Sequence, residues 1–120
     1  MTKTILIVDD SSSIRSVVGM TLKNEGYEVL SADDGSTALK LLDGRKIHLI
    51  VSDVNMPIMD GISFIKAAKK LAPYAYTPVM MLTTETQESK KEEGKQAGAK
   101  AWLIKPFKPE VLLSAVSKLA

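Results

Sequence analysis

Five short apolar runs alternate with five longer, more polar segments along this sequence. The apolar runs are rich in Ile, Leu, Val and Met, and their length is typical of strands; they lie at 4–8, 28–32, 49–52, 79–83 and 101–104. The segments between and after them predict helices at 12–25, 36–42, 61–71, 87–97 and 108–119. Gly26, Gly44 and Gly98 are placed as C-terminal stops of three of these helices. The pattern therefore predicts strand followed by helix, five times over.

This alternation favours an α/β fold over an α+β fold. Near-continuous apolar runs are typical of strands covered on both faces, and helices between them imply right-handed crossovers to a parallel sheet. An α+β fold would need a hairpin, yet no two strand runs are separated by a two-residue Asn-Gly or Asp-Gly turn. We therefore expect a five-stranded parallel sheet flanked by helices, in a single domain at 1–120.

Composition narrows the classes of function. The 120 residues, 45% of them apolar, are enough for one hydrophobic core. The 16 basic and 14 acidic residues are interleaved, so the clustered Lys and Arg of a nucleic-acid-binding surface are lacking. The first apolar run is too short for a signal peptide, no run reaches membrane-spanning length, and the absence of Cys suits a reducing compartment. We expect a cytoplasmic monomer that binds neither nucleic acid nor membrane.

Polar residues follow the predicted strands where parallel sheets bind their ligands, beyond the carboxyl ends of the strands. Asp9 and Asp10 follow the first strand, Asp53 the third, Thr83 ends the fourth, and Lys105 follows the fifth. Each has an ordinary structural explanation when taken alone, such as a helix N-cap for the Asp pair or a turn residue for Asp53. Their coincidence at one edge of one sheet favours a functional site.

Three carboxylates crowded at this edge predict a cation. Two such charges about 4 Å apart repel by roughly 4 kcal/mol at an effective dielectric constant of about 20. Oxygen ligands suit Mg2+, whereas Zn2+ is disfavoured in a chain with no Cys and one His. Asp53 is the best candidate nucleophile toward phosphorus, forming an aspartyl phosphate. Asp9 and Asp10 would hold the metal, while the Lys105 ammonium and the Thr83 hydroxyl would each contact a phosphoryl oxygen.

Four motifs carry a resemblance to a known family. They are ILIVDDS beginning at Ile5, DVNMPIMDG beginning at Asp53, VMMLTT beginning at Val79 and KPF beginning at Lys105. Together they resemble the receiver domain of two-component response regulators, most closely the stand-alone receivers of bacterial chemotaxis, across essentially the whole chain. The resemblance implies a flavodoxin-like three-layer sandwich with strand order 2-1-3-4-5 and five flanking helices. It also implies a response regulator that is no enzyme, beyond promoting its own phosphorylation and dephosphorylation.

The same resemblance implies a set of metal ligands and a phosphodonor. Asp53 would accept a phosphoryl group from a phosphohistidine on a sensor histidine kinase. Mg2+ would be held by Asp10, Asp53 and the backbone carbonyl of Asn55, with Asp9 assisting through water.

The family further implies a switch made of Thr83 and Trp102. Thr83 would move toward the phosphoryl group, which Lys105 also contacts, and the aromatic at 102 would turn inward. The usual aromatic is Tyr or Phe, and the larger indole risks overpacking that costs about 1 to 3 kcal/mol. A half-buried strand aromatic without a switching role is therefore an equal alternative. A cis peptide between Lys105 and Pro106 is also implied.

The fourth predicted helix departs from the family pattern. Residues 87–97 contain no large apolar side chain and include an internal glycine, Gly94. A helix that is polar all round packs poorly, and Glu–Lys pairs at 88 and 91 and at 92 and 95 would add only a few tenths of a kcal/mol each. We expect a mobile element, either a solvated helix or one that phosphorylation orders.

Output would pass through a partner, because we expect no output domain after the fifth helix. The chemotaxis resemblance makes a flagellar motor switch protein the leading partner, and a role as phosphorelay intermediary is the alternative.

Three functions of other classes are disfavoured. A Mg2+-dependent aspartyl-phosphate phosphatase is disfavoured because Asp9 and Asp10 are adjacent and Asn55 stands where a second acid would follow Asp53. A nucleotide-binding module lacks its glycine-rich motif. An interaction domain without phosphorylation is disfavoured because all five polar residues at the strand ends are present: Asp9, Asp10, Asp53, Thr83 and Lys105.

Overall fold

Strands and helices alternate throughout the computed structural model, which describes residues 2–84 and 88–120, with the backbone alone for 88–90. The strands of the described residues are β1 Thr4–Val8, β2 Glu28–Ala32, β3 Leu49–Asp53, β4 Val79–Thr83 and β5 Ala101–Ile104. The α-helices are α1 Ser12–Asn24, α2 Gly35–Leu41, α3 Gly61–Lys69, α4 Glu88–Ala97 and α5 Pro109–Leu119, with a 3-10 helix at Ala72–Tyr74. No helix in this part of the chain has both the length and the apolar composition needed to cross a bilayer.

All five strands pair in parallel in one sheet, in the order β2-β1-β3-β4-β5. Strand β1 lies between β2 and β3 and places Leu6 opposite Leu30 of β2 and Ile50 of β3. On the other side of the sheet, Met81 of β4 lies opposite Trp102 of β5. Strand β2 lies on one side of β1, and β3 to β5 lie on the other. The order of the strands therefore reverses between β1 and β3, where folds of this kind bind ligands. The predicted α/β fold and the order 2-1-3-4-5 are confirmed.

Alternating side chains divide the interior into two cores, one on each face of the sheet. Leu6 and Val8 of β1 belong to the core beneath α2, α3 and α4, and Ile5 and Ile7 to the core beneath α1 and α5. All four side chains are fully buried. A strand covered on both faces has no solvent side to make polar, so its sequence is a continuous apolar run.

The element boundaries differ slightly from those predicted. β3 includes Asp53, which is therefore the last strand residue and not the first residue of a loop. Helix α3 ends at Lys69, two residues early, because the chain turns into the 3-10 helix Ala72–Tyr74. The ends of α1, α2 and α5 agree within one residue. Helix α4 begins at Glu88, and the predicted first residue, 87, lies outside the described residues.

Helix α4 contributes little to either core. Of its described side chains, at 91–97, only Gly94 and Ala97 are buried. The predicted support from Glu92 to Lys95 is wrong, because no ion pair between these two occurs in the described part of the chain. The other predicted pair, at 88 and 91, lies outside the described side chains. The expectation that α4 is mobile, or ordered by phosphorylation, stays a prediction.

Candidate functional site

The predicted polar residues meet at the carboxyl edge of the sheet. Asp9 and Asp10 directly follow β1, Asp53 and Thr83 end β3 and β4, and Lys105 follows β5. One carboxylate oxygen from each of Asp9, Asp10 and Asp53 lies within 4.8 Å of the others. Parallel strands deliver their ends to one edge, so five positions spread over most of the chain become neighbours.

Asp9 is the most enclosed member of this group and is fully buried. Its Oδ1 accepts a hydrogen bond from the backbone N–H of Ser11 at 2.9 Å. Its Oδ2 accepts from Nζ of Lys105 at 2.8 Å, and its backbone carbonyl accepts from Nη1 of Arg15 at 2.7 Å. A buried carboxylate needs such partners because an unpaired buried charge is strongly unfavourable. Both oxygens of Asp9 are therefore held in fixed positions.

The Asp pair does not cap helix α1, which was its ordinary structural explanation. The N-cap is Ser11, whose Oγ accepts from the backbone N–H of Ile14 at 3.2 Å. Asp10 is exposed while still contributing an oxygen to the cluster. Asp9 and Asp10 therefore have no capping role in α1. Together with Asp53 they form the acidic edge of the sheet, in which Asp9 is buried and Asp10 is exposed.

Lys105 lies between two of the carboxylates. Its Nζ is 2.8 Å from Oδ2 of Asp9 and 3.6 Å from Oδ2 of Asp53, and its side chain is largely buried. Its positive charge therefore offsets part of the negative charge of these two carboxylates. The peptide bond from Lys105 to Pro106 is cis, as the family resemblance implied.

The carboxyl of Asp53 has a raised pKa. Burial is the main cause, and the negative charge of Asp9 adds to it. Lys105 and the backbone N–H groups of Val54 and Asn55 act in the opposite direction without cancelling the rise. The environment therefore disfavours the negative charge on Asp53, and any additional cation at the edge would favour it.

Gly61 allows helix α3 to begin against the backbone of Asp53. A Cβ at this position would lie 2.0 Å from the carbonyl oxygen of Asp53, closer than any side chain can pack. The backbone N–H of Gly61 donates to the carbonyl of Val54 at 2.8 Å, and Asp60 caps the helix by accepting from Ser63. The sequence pattern alone does not identify Gly61 as a site residue. Its position directly after Asp60, a residue type that caps helices, is the available signal. It fixes the distance between α3 and the end of β3.

The loop between β3 and α3 contains the remaining predicted ligand, Asn55. Asn55 is exposed two residues after Asp53, and its role as a metal ligand through its carbonyl stays a prediction. Further along, Ile58 has φ of 70°, and the N–H of Met59 donates to the carbonyl of Pro57 at 2.7 Å, which closes a γ-turn. A β-branched residue is a rare choice for this conformation.

Thr83 and Trp102 lie on the neighbouring strands β4 and β5. Thr83 is fully buried, and its carbonyl accepts from the backbone N–H of Lys105 at 2.8 Å. Trp102 is half-buried and packs against the core beneath α2, α3 and α4. Its Nε1 is buried, and no atom of the described residues accepts a hydrogen bond from it. Trp102 is a half-buried strand aromatic, and its inward movement stays a prediction.

The acidic edge fits a hard divalent cation. Its donors are carboxylate oxygens from three residues, close enough to share one ion, and no nitrogen or sulfur ligand accompanies them among the described residues. One member is exposed, which leaves an open side for water or a phosphate oxygen. Mg2+ prefers oxygen ligands and keeps several waters, so it matches this donor set.

Comparison with known proteins shows the family to which the chain belongs. Residues 5–117 match the family described as the response regulator receiver domain, and the chain belongs to this family. It is 36% identical over 116 residues to the chemotaxis protein CheY of Pseudomonas aeruginosa, covering 96% of this chain and 94% of that protein. It is also 36% identical over 119 residues to the transcriptional regulatory protein SrrA of Staphylococcus aureus, covering 99% of this chain but 48% of SrrA. The chain thus spans about half of SrrA, and similar domains serve different outputs.

Solved structures agree with this assignment. The chemotaxis protein CheY4 of Vibrio cholerae has a TM-score of 0.96 and 48% identity, with 100% of both chains covered. The receiver domain of the sensor histidine kinase PA1611 of Pseudomonas aeruginosa has a TM-score of 0.90 and 26% identity, with 99% of this chain and 98% of that one covered. That domain holds a magnesium ion in its active-site cleft. The chain is therefore a CheY-like receiver, of a class of phosphoryl-accepting switches that interact with histidine kinases and output proteins.

Proposed function

We propose that Asp53 accepts a phosphoryl group from a phosphohistidine of a sensor histidine kinase, and that this modification changes which partner the protein binds. The observation that carries the proposal is the meeting of Asp9, Asp10 and Asp53 with Lys105 at one edge of the sheet. In the transfer, an Oδ atom of Asp53 forms a bond to phosphorus while the bond from phosphorus to the imidazole nitrogen breaks. The released imidazole takes a proton from solvent.

Asp9, Asp10 and Asp53, with the carbonyl of Asn55, would hold Mg2+ at this edge. The bound ion would neutralise charge that develops on the phosphoryl oxygens. Lys105 would contribute a second positive charge, since its Nζ lies close to both Asp9 and Asp53. The burial that raises the pKa of Asp53 also removes water from its carboxyl, which favours attack once a cation has made the carboxylate form favourable.

Thr83 and Trp102 would carry the signal away from Asp53. The Thr83 hydroxyl would donate a hydrogen bond to a phosphoryl oxygen, and Trp102 would respond on the same face of the sheet. We propose that the chain acts as one receiver domain, a monomer in the cytoplasm, that promotes only its own phosphorylation and dephosphorylation. Similarity to two chemotaxis proteins supports a flagellar motor switch protein as the partner. The similarity to the transcriptional regulatory protein SrrA shows that such domains also serve other outputs. A role as phosphorelay intermediary is the alternative that the output experiment tests.

Intact-mass measurement after incubation with acetyl phosphate and Mg2+ tests phosphoacceptance. We expect one added phosphoryl group, lost in Asp53→Asn and retained in Asp60→Asn. Asp60 is a matched control because it is an exposed acid of the same loop whose capping role Asn can perform. Added mass that survives Asp53→Asn would contradict the assignment, and many turnovers of p-nitrophenyl phosphate would favour a phosphatase.

Metal binding and output need separate measurements. Titration with Mg2+ should raise the unfolding temperature and change the fluorescence of Trp102, and EDTA should reverse both effects. Asp10→Asn should weaken the apparent affinity without unfolding the protein, because Asp10 is exposed. For output, we expect a motor switch protein to bind the beryllofluoride-treated chain and not the untreated one; binding instead by a histidine phosphotransfer protein would favour the relay.

A further inference from the structure

Two departures from the family pattern contact each other in the fold. They are the glycine within α4, Gly94, and the large aromatic of β5, Trp102. A Cβ on Gly94 would lie 2.9 Å from Cζ3 and 3.5 Å from Cε3 of the indole ring. Carbon atoms in favourable contact are about 3.5 to 4.0 Å apart. A side chain at 94 and the ring in its present position therefore exclude each other.

Packing, and not hydrogen bonding, holds the ring against α4. The indole Nε1 is buried and finds no acceptor among the described residues. The ring packs on the core cluster that includes Met81 and Ala97. Beside it lies a cavity of about 190 Å³, bordered by Lys91 and Lys95. Trp102 is thus held by apolar packing, with free space on the side of the two lysines.

We infer that Gly94 and Trp102 form a size-matched pair through which α4 docks on the sheet. Helix α4 has no large apolar side chain at 91–97, so the apolar surface of this contact comes largely from the indole of β5. The missing side chain at 94 makes the space that the ring fills. Gly94 is a positioning residue: it acts by fixing where Trp102 lies.

The pair adjoins the proposed switch. Trp102 lies opposite Met81 in the register of β4 and β5, and Thr83 is two residues beyond Met81. Side chains two residues apart on a strand share one face, so Thr83 and Trp102 lie on the same side of the sheet. If phosphorylation acts through Thr83, a step that rests on the proposed function, then the size of residue 94 sets how far the ring and α4 move together.

Thermal unfolding of the full chain, without Mg2+ or phosphoryl donor, tests the pair independently of phosphorylation. In a helix with free space, Gly→Ala is stabilising, by an amount worth about 3 to 6 °C in a domain of 120 residues. Gly94→Ala should instead lower the unfolding temperature in the native sequence. In a Trp102→Ala background, where the ring is absent, the same substitution should raise it. Helix propensity alone cannot reverse its sign between the two backgrounds.

Fluorescence of the single tryptophan gives a second readout. Gly94→Ala should shift the emission to longer wavelength and increase quenching by acrylamide, because the displaced ring meets more water. Glu93→Ala, at an exposed neighbouring position of α4, is the control and should change neither.

The outcomes are decisive even where a variant folds poorly. If Gly94→Ala unfolds the native sequence and is tolerated with Trp102→Ala, the pairing is supported. An equal rise in unfolding temperature in both backgrounds, unchanged emission, or failure to fold in both backgrounds would overturn it. If the pairing holds and Asp53 accepts no phosphoryl group, only the link to the switch is lost.

Discussion

The acidic edge and helix α4 belong to the same framework but are held in opposite ways. At the edge, both oxygens of Asp9 have partners and Gly61 presses the start of α3 against Asp53. In α4, only Gly94 and Ala97 are buried among the described side chains. Segments with few buried contacts open at the lowest free energy. We therefore expect the edge to tolerate little displacement and α4 to rearrange at a lower cost in free energy.

Removal of the ammonium should disturb the edge most. Lys105→Met leaves the buried carboxylate of Asp9 without its cation, and breaking such a pair from one side costs about 3 kcal/mol. We expect this loss in urea unfolding measured without Mg2+, with partial recovery when Mg2+ is added. Lys108→Met, at an exposed position three residues away, is the control. Equal stability of the two variants would show that the edge is less constrained than its geometry indicates.

Gly61→Ala should lower the free energy of unfolding by a smaller amount. The new Cβ would meet the carbonyl of Asp53, so β3 or α3 must shift, and overpacking of this kind costs about 2 kcal/mol. Gly19→Ala is the matched control, because its Cβ would lie 3.8 Å from Val29, an ordinary contact, and alanine favours the helix. Both are compared by urea unfolding. Stabilisation by both substitutions would contradict the proposed contact.

Asp53→Asn should act in the opposite direction, toward higher stability. A carboxyl whose pKa is raised by folding favours the native state at low pH and loses that advantage as pH rises through its native pKa. The neutral amide avoids this loss, because no charge has to be buried and none is repelled by Asp9. A gain on the order of 1 kcal/mol at neutral pH is expected from such charges. Thermal unfolding in EDTA at several pH values checks this. A gain that stays constant below the ordinary Asp range would exclude the electrostatic cause.

The smallest effect is expected in α4. Glu92→Ala removes an exposed side chain that forms no ion pair in the described part of the chain, so stability should change by less than about 0.5 kcal/mol. Urea unfolding beside Lys105→Met gives the contrast between the two regions directly. A loss above about 1 kcal/mol would place Glu92 in a contact that its exposure does not reveal.

The strands, the helices and the meeting of the polar residues at one edge of the sheet could be predicted from local sequence patterns. Strand β1 could be predicted because Ile5 to Val8 form a continuous apolar run, and the acidic edge because parallel strands end together. The sequence did not predict that Lys105 lies nearer to Asp9 than to Asp53, that Gly61 contacts the backbone of Asp53, or that Gly94 faces Trp102. These features depend on distances between segments far apart in the chain, which periodicity does not encode. The chemical roles of the edge residues stay predictions.

Lys105 and Arg15 bring two positive charges to an edge with three carboxylates, while the chain as a whole has a net charge of +2. Because the rest of the chain then carries a net positive charge, we expect an electric dipole moment with its negative end at the carboxyl edge. A charged protein approaching in solution would experience a torque before contact. Its encounter rate should therefore depend on ionic strength, because salt screens this orientation over about 10 Å at 0.1 M.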